Sequence, residues 1–407
     1  TKEAGVYTLG YALSAVSADV NNDGYPDLYI TVDYKEPDFL FLNMKNGTFR
    51  DVAKSAMNHF SLFSMGCDIA DYNNDGFLDI FSVDMVAEDR FRNKTNMAGM
   101  DIPKFWKNVE LGFHYQYMFN SLQLNQGSGS FSEIAQLAGI SKTDWSWSVL
   151  LADYDNDGAK DLYITNGLLR DVRNRDYQAL FERPFDSIKS KLELVKNAPS
   201  EKILNYMYHN VGDLKFKNVV DDWGMAQKSF SNGASYVDLD NDGDLDVIVN
   251  NIGDKAFVYQ NFASSRQGSN YLRLNLVGPK ENYRSYGARA VIYYDNGKMQ
   301  MLELSNARGY MSTSEPFMHF GLGTVSKVDS LIVRWPSGKM LRKTGIKANQ
   351  TLILKEPDES SETYPQLFQL AGNVLTKEVT QELLGEIHSV ENFYKDYKKE
   401  ILIPHKM

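Results

Sequence analysis

The chain has 407 residues, with 43% hydrophobic, 24% charged and 13% aromatic residues and a formal net charge of −10. That balance is enough apolar material for a packed core in two or three domains, and the acidity without a basic stripe excludes nucleic acid as a partner. A single cysteine, Cys67, excludes an intrachain disulfide framework and a thiolate metal cluster, and no apolar run is long enough to span a bilayer. The chain opens at Thr1 without a signal peptide, inside what reads as a repeat, so the expectation is a fragment or mature piece.

Four segments align without gaps: YALSAVSADVNNDGYPDLYI (11–30), FSMGCDIADYNNDGFLDIFS (63–82), WSWSVLLADYDNDGAKDLYI (145–164) and FSNGASYVDLDNDGDLDVIV (230–249). Each starts with an aromatic residue, carries small residues at its fourth and fifth positions, runs through an acidic loop and ends in a strand-forming run. Another strand follows each: FLFLN (39–43), SLQLN (121–125), YMYHN (206–210) and FVYQN (257–261). The first three of these lead through a Gly-containing turn to Phe49, Phe131 and Phe216. Each unit therefore reads as strand, acidic loop, strand, turn, strand, turn, strand, which predicts an all-β sandwich, barrel or propeller, and a small-residue strand beside bulkier ones suits a propeller, where inner strands crowd the axis.

Every loop fits D-x-[DN]-x-D-G-x-x-D, a pattern whose side chains at positions 1, 3 and 5 converge on one point when the glycine at position 6 permits a sharp turn. The candidate ligands are Asp19, Asn21, Asp23, Tyr25 and Asp27; Asp71, Asn73, Asp75, Phe77 and Asp79; Asp153, Asp155, Asp157, Ala159 and Asp161; and Asp238, Asp240, Asp242, Asp244 and Asp246. Position 7 would offer its backbone carbonyl, and the Asp at position 9 would close the sphere. An all-oxygen set of this kind suits Ca²⁺, at up to four sites. Loops one and two have Asn at position 3, one carboxylate fewer than loops three and four, and are expected to be the weaker sites. Strands flank the loops where an EF-hand would have helices, and a metal saturated by protein oxygens is a structural staple rather than a catalyst. The bland alternative is an Asx-rich turn without metal.

The connection after the loop strand differs among the units. Asp27 to Asn43 and Asp246 to Asn261 are short, whereas Asp79 to Asn125 and Asp161 to Asn210 carry insertions, near 87–119 and 169–203. In a meander, successive connections alternate ends, so both insertions are expected side by side on the face opposite the acidic loops. Long loops on a rigid scaffold are where binding usually sits. Trp106, Tyr115 and Arg173 are the expected exposed contacts for a ligand, although such rings more often pack an insertion onto its scaffold. The stretch 186–197 reads as helical. Cys67 and His209 align with ordinary strand positions of the other repeats, and His319 lies in a signature run; none is expected to be catalytic. Residues 268–356 alternate apolar and polar in several runs and predict a β-sandwich-like domain, and 357–407 reads as an acidic linker and the start of a further domain.

These loops with their following strands resemble, over about residues 1–265, the FG-GAP (also called VCBS) repeats of integrin-like β-propellers. GARAVIYY (287–294), RGYMS (308–312), HFGLG (319–323) and VRWPSGK (333–339) resemble the ASPIC/UnbV domain. TDWSW (143–147) and the final segment 388–407 are similar to large Bacteroidota cell-surface members. The resemblance implies an integrin-like propeller of about seven blades, more than the four seen, so that either further blades lie upstream or closure is incomplete here. It also implies a location at the outer membrane facing outward, with a lipid anchor outside this chain, and capture of a glycan or docking of a surface protein complex. No reaction is implied, and no paired acid and base can be placed. The alternatives are a calcium-dependent, polysaccharide lyase-like enzyme and an architectural scaffold subunit.

Overall fold

In the computed structural model, residues 1–34, 36–96, 100–184 and 188–359 are described. The expected further domain beyond residue 360 lies outside them. The fold is all-β, with few helices.

The repeats form four meander sheets, here called blades. Blade one holds β1 (Tyr11–Ala18), β2 (Asp27–Asp33), β3 (Phe39–Asn43) and β4 (Phe49–Asp51), in that order. Blade two holds β5 (Cys67–Ala70), β6 (Asp79–Ser82), β7 (Ser121–Asn125) and β8 (Phe131–Glu133). Blade three holds β9 (Asp144–Ala152), β10 (Asp161–Asn166), β11 (Tyr206–Gly212) and β12 (Lys215–Asn218), extended by the short strand Met85–Val86. Blade four has three strands: β13 (Ser231–Val237), β14 (Asp246–Asn251) and β15 (Phe257–Tyr259). The inner strands β1, β5, β9 and β13 neighbour one another in that order.

Period-two alternation sends each blade's side chains into two different interfaces. Tyr29 of blade one packs with Ile69 and Ile80 of blade two, and Phe81 of blade two packs with Leu162 and Ile164 of blade three. Tyr163 of blade three then packs with Val247 and Val249 of blade four. Blades two and three thus bury one face on the preceding blade and the other on the following one.

The C-terminal part is a sandwich of two sheets. One orders β19 (Met318–Gly323), β16 (Asn270–Val277) and β22 (Gln350–Lys355), with β16 and β22 parallel. The other orders β18 (Lys298–Glu303), β17 (Arg289–Tyr294), β20 (Lys327–Arg334) and β21 (Met340–Lys347). Leu272, Leu274, Phe320, Ala290, Ile292, Val333 and the fully buried Trp335 fill the space between them. Val291, pointing the other way from the same strand as Ala290 and Ile292, joins Met301 in the core of blades one and two. One sheet therefore serves two cores.

Residues 308–315 run along the inner strands. Gly309 donates its N–H to the Cys67 carbonyl at 2.8 Å, and its own carbonyl accepts from Ser14 Oγ at 2.7 Å. Tyr310 N–H donates to Ser148 Oγ at 3.2 Å, and Glu315 N–H to the Tyr236 carbonyl at 3.4 Å. This explains the small residues of the repeats. A Cβ on Gly66 would stand 2.2 Å from the Trp147 carbonyl and 3.0 Å from Gly309, and one on Gly233 would stand 2.7 Å from Ser312 Oγ.

Candidate metal centre

The acidic loops fold alike because the same two backbone positions are left-handed. The glycine at position 6 has φ of +89°, +88°, +97° and +94° (Gly24, Gly76, Gly158, Gly243), where a Cβ is disfavoured. Position 4 is Asn in all four copies, with φ near +60° (Asn22, Asn74, Asn156, Asn241), and Asn tolerates that region. The turn aims backbone N–H groups at carboxylates. Asp19 accepts from Asp23 N at 2.9 Å and Gly24 N at 2.7 Å; Asp71, Asp153 and Asp238 repeat the pattern at 2.8–3.1 Å. The position-5 carboxylate accepts from position 7: Tyr25, Phe77, Ala159 and Asp244 donate to Asp23, Asp75, Asp157 and Asp242.

The side chains at positions 1, 3 and 5 are thereby turned toward one another. In loop three, Asp153, Asp155 and Asp157, and in loop four, Asp238, Asp240 and Asp242, bring carboxylate oxygens within 4.8 Å of one another. In loops one and two the amide of Asn21 or Asn73 instead donates to Asp23 or Asp75, at 3.0 and 2.8 Å. The Asp at position 9 has a further task. Asp27 accepts from Val20 N at 3.1 Å and Asn43 N at 2.8 Å, and Asp79, Asp161 and Asp246 make the same two bonds. It ties the loop to the third strand of its blade, so its oxygens are already held by backbone.

Crowded, buried carboxylates resist ionising. Burial pushes Asp153 well above the usual carboxylate range, and the charges of Asp161, Asp157 and Asp155 add to it. Burial lifts Asp71 to about 6 and Asp27 to about 7. This donor set is oxygen-only, anionic and clustered by a preformed turn, which fits a hard divalent cation. Positions 1, 3 and 5 would hold it. When bound, calcium would supply the positive charge that these carboxylates lack.

Part of that charge already comes from elsewhere. Arg273 of β16 donates to Asp238 at 2.5 Å and to Glu315 at 2.8 Å. Arg289 of β17 reaches the Asp19 carbonyl at 2.7 Å and bonds the Asn22 side chain. Lys160 bonds Asn74 at 3.0 Å; His319 bonds Asn156 at 2.6 Å but adds no charge, because burial pushes its pKa down to about 3. His209 lies 3.1 Å from Asp161 and 3.5 Å from Asp155, and its bond to Asp161 raises its pKa to about 9. It occupies the strand position that its alignment with Leu42, Leu124 and Gln260 predicts, and the register of β10 and β11 also sets it over Asp161.

Asn at position 4 went unread in the sequence although all four copies share it. Its role is between blades. Asn22 donates to the Gly76 carbonyl at 3.1 Å, Asn74 to Gly158 at 2.8 Å and Asn156 to Gly243 at 3.0 Å. Each loop is thus bonded to the next, while Asn241 is exposed. A second series runs the other way: Asn125, Asn210 and Asn261 donate to the carbonyls of Val20, Tyr72 and Tyr154 in the preceding loop.

The insertions emerge from the strand ends opposite these loops. The first carries α1 (Arg90–Asn96) and α2 (Ile102–Glu110), the second α3 (Arg175–Phe181) and α4 (Ile188–Lys196). They touch: Asn174 bonds Asn96 at 2.9 Å, and Arg92 pairs with Glu201 at 2.5 Å, Asp171 at 3.7 Å and Asp144 of β9 at 2.6 Å. Neither α1 nor α2 was expected, although Asp101 and Pro103 are the start signal of α2. Asp101 starts α2 by accepting from Lys104 N at 3.1 Å, with Pro103 in the first turn and Phe105 buried. Trp106, Tyr115 and Arg173 were expected to stand exposed, and all three are half-buried. Trp106 meets Phe105 edge-on at 5.2 Å and Tyr115 at 6.5 Å. Arg173 lies over the rings of Phe63 and Trp145. A short insertion has little core of its own, so its rings are spent on one another.

Four meander blades with acidic loops, joined to a β-sandwich, define an all-β repeat protein of propeller type. A model of FG-GAP-like repeats matches residues 19–82 and 113–164, and a model of the ASPIC and UnbV domain matches residues 278–361. Cartilage acidic protein 1 of Mus musculus is 26% identical over 360 residues, 87% of this chain and 46% of that protein. The Homo sapiens protein is 25% identical over 359 residues, 87% and 45%, and the Xenopus tropicalis protein 26% over 332 residues, 79% and 42%. The chain spans less than half the length of these relatives. The chain carries FG-GAP-like repeats followed by an ASPIC/UnbV domain and is homologous to cartilage acidic protein 1, which has the same domain architecture. A structure of an Agrocybe aegerita lectin, described as recognising non-reducing terminal N-acetylglucosamine, matches at a TM-score of 0.30 and 16% identity, over 65% of this chain and 56% of that one. That likeness is too remote to carry an argument. Together the two domain types place the chain among extracellular binding or scaffold modules, and neither is an enzymatic type. Among the described residues no helix is long and apolar enough to cross a membrane.

Proposed function

We propose that this chain is a calcium-stabilised binding module of the cell exterior, which captures a glycan or docks a partner in an outer-membrane uptake or secretion assembly. The observation that carries the metal half is the convergence of Asp153, Asp155 and Asp157, and of Asp238, Asp240 and Asp242, on single points. Calcium there offsets carboxylate repulsion, and the Asn-to-Gly bonds between loops spread the effect across blade boundaries. Loops three and four, with a carboxylate at position 3, are the tighter sites. In loops one and two the Asn amide already bonds the position-5 carboxylate and must turn away for its oxygen to face a metal.

The binding half rests on the paired insertions, which build one continuous surface away from the metals. Calorimetric titration of chelator-treated protein with CaCl₂, alongside thermal melts, tests the first half. Ligation at a hundredfold excess over Kd adds about 2.7 kcal/mol per site, so the melting temperature should climb by several degrees. A melt indifferent to chelator, with no binding heat, would remove calcium from the proposal. A pulldown from solubilised outer membrane, compared with a variant lacking 87–119, tests the second half.

A further inference from the structure

The half-buried Arg173 belongs to a larger constellation, built from three blades and the second insertion. Tyr11, which opens β1, is 68% exposed, and Tyr34, just past β2, is 49% exposed. Their rings meet edge-on at 5.2 Å. Tyr34 meets Phe63, the residue that opens the second repeat, at 6.4 Å. The Arg173 guanidinium sits 5.0 Å from the Phe63 ring centre and 5.3 Å from that of Trp145, which opens the third repeat's strand. The shelf therefore runs Tyr11, Tyr34, Phe63, Arg173, Trp145, across the strand ends opposite the acidic loops. Behind it, Trp147 packs on Tyr310 at 4.9 Å, and Gly309 is bonded to Cys67.

The polar groups at this shelf are only partly used. Arg173 makes no hydrogen bond or ion pair among the described residues; its contacts there are the two rings. One oxygen of Asp33 accepts from Tyr34 N at 2.7 Å, and the other has no partner among the described residues. Asp33 is close enough to Arg173 for the guanidinium to lower its pKa against the opposing effect of burial. The site thus offers ring faces, a fork of donors and an acceptor-only carboxylate, with charges that offset. An anionic ligand would meet Asp33, and a cationic one would meet Arg173. A neutral polyol suits both, because each hydroxyl both donates and accepts, and its C–H faces can lie on tyrosine rings that keep an apolar body and a polar tip.

We propose that this shelf is a binding site for a neutral pyranose unit of a glycan, with Tyr11 and Tyr34 stacking on the sugar and Arg173 and Asp33 bonding its hydroxyls. The proposal rests on the glycan reading of the insertion face and moves the contact from Trp106 and Tyr115 to the ends of the inner strands. The test is calorimetry on the calcium-loaded 407-residue chain with neutral hexasaccharides (cello-, xylo-, manno-, laminari-, malto- and chito-series), polygalacturonate and a proline-rich peptide. Tyr34→Asn keeps a residue that tolerates the left-handed backbone, Arg173→Gln removes the guanidinium, and Ile353→Ala, at a side chain 67% exposed on β22 of the sandwich, is the control. Thermal melts confirm folding of each. The expected result is binding of a neutral saccharide, weakened about tenfold or more by Tyr34→Asn and by Arg173→Gln and unchanged by Ile353→Ala, each tenfold being 1.4 kcal/mol. Binding that both variants leave intact overturns this site while the glycan reading survives. Preference for polygalacturonate or for the peptide overturns the neutral-sugar assignment. Absence of binding to every saccharide overturns both.

Discussion

Removing Arg308 isolates a buried charge at the junction of the two domains. Its guanidinium bonds Asp68 at 2.7 Å, and the Asp68 side chain is fully buried. Burial alone raises the Asp68 carboxyl above its usual range, and Arg308 pulls it back. Asp68 also accepts from Ile69 N at 2.9 Å and Leu151 N at 2.8 Å, and both donors survive in Arg308→Met. Breaking a buried pair by deleting one partner costs about 3–5 kcal/mol; with two backbone donors left in place, the expected loss at pH 7 is near the lower end, about 3 kcal/mol. The unfolded carboxyl titrates near 4, and in the variant the folded one titrates well above it. The deficit is therefore complete above the folded value and closes as pH falls toward about 4, where both states are protonated. Urea unfolding followed by tryptophan fluorescence at pH 4.5 and 7.5 measures it, and Asp68→Asn combined with Arg308→Met should recover part of the loss. A cost below about 1 kcal/mol, or one independent of pH, would refute this account of the junction.

Asp38 is buried among Tyr29, Ser64 and Val32, and burial raises its pKa to about 7. Since the folded value exceeds the unfolded one, this residue contributes a cost that grows as pH rises from about 4 to 7, up to about 4 kcal/mol at 1.36 kcal/mol per unit; Asp38→Asn should flatten the pH dependence of stability over that range in chemical denaturation. Asn74→Ala puts a Cβ-bearing residue without a side-chain bond at φ +59° and frees the Gly158 carbonyl, for a loss of about 2–3 kcal/mol. Asn74→Gly, which relieves only the backbone, should lose about 1 kcal/mol less, and equal melting temperatures for the two would argue against the left-handed requirement. Gly66→Ala forces Trp147 or Gly309 to move and should destabilise the protein by about 1–3 kcal/mol, the range for overpacking, read as a lower urea midpoint. Cys67 is fully buried and its thiol is pushed far up by that burial, so a thiol-reactive dye should label it only in denaturant, and rapid labelling of native protein would contradict the packing.

The repeat was legible because one local chemistry, a tight turn lined by carboxylates, demands the same residues at fixed spacing wherever it occurs. The four loops carried the strand order, the two insertions and the slot filled by Cys67. What they could not carry was anything set between units. Asn at position 4 was visible in all four copies, yet its meaning lies in a carbonyl some 54 to 87 residues away. His209 looked ordinary because its acidic partners, Asp161 of β10 and Asp155 of loop three, are distant in sequence. The small residues of the inner strands suggested crowding, while the crowding segment, 308–315, sits in the other domain. The expected contacts Trp106 and Tyr115 followed from composition alone, and composition does not say which rings an insertion keeps for its own packing.

The segment 308–315 acts as a bolt. It is bonded to Ser14, Cys67, Ser148 and Tyr236, one residue from each blade in turn. Tension on the C-terminal domain is therefore not delivered to blade four alone, its neighbour in the chain, but is shared among all four blades at their inner strands. Peeling one blade at a time, the easy route for a repeat array, would require this bolt to be drawn first, so the two domains are expected to unfold together.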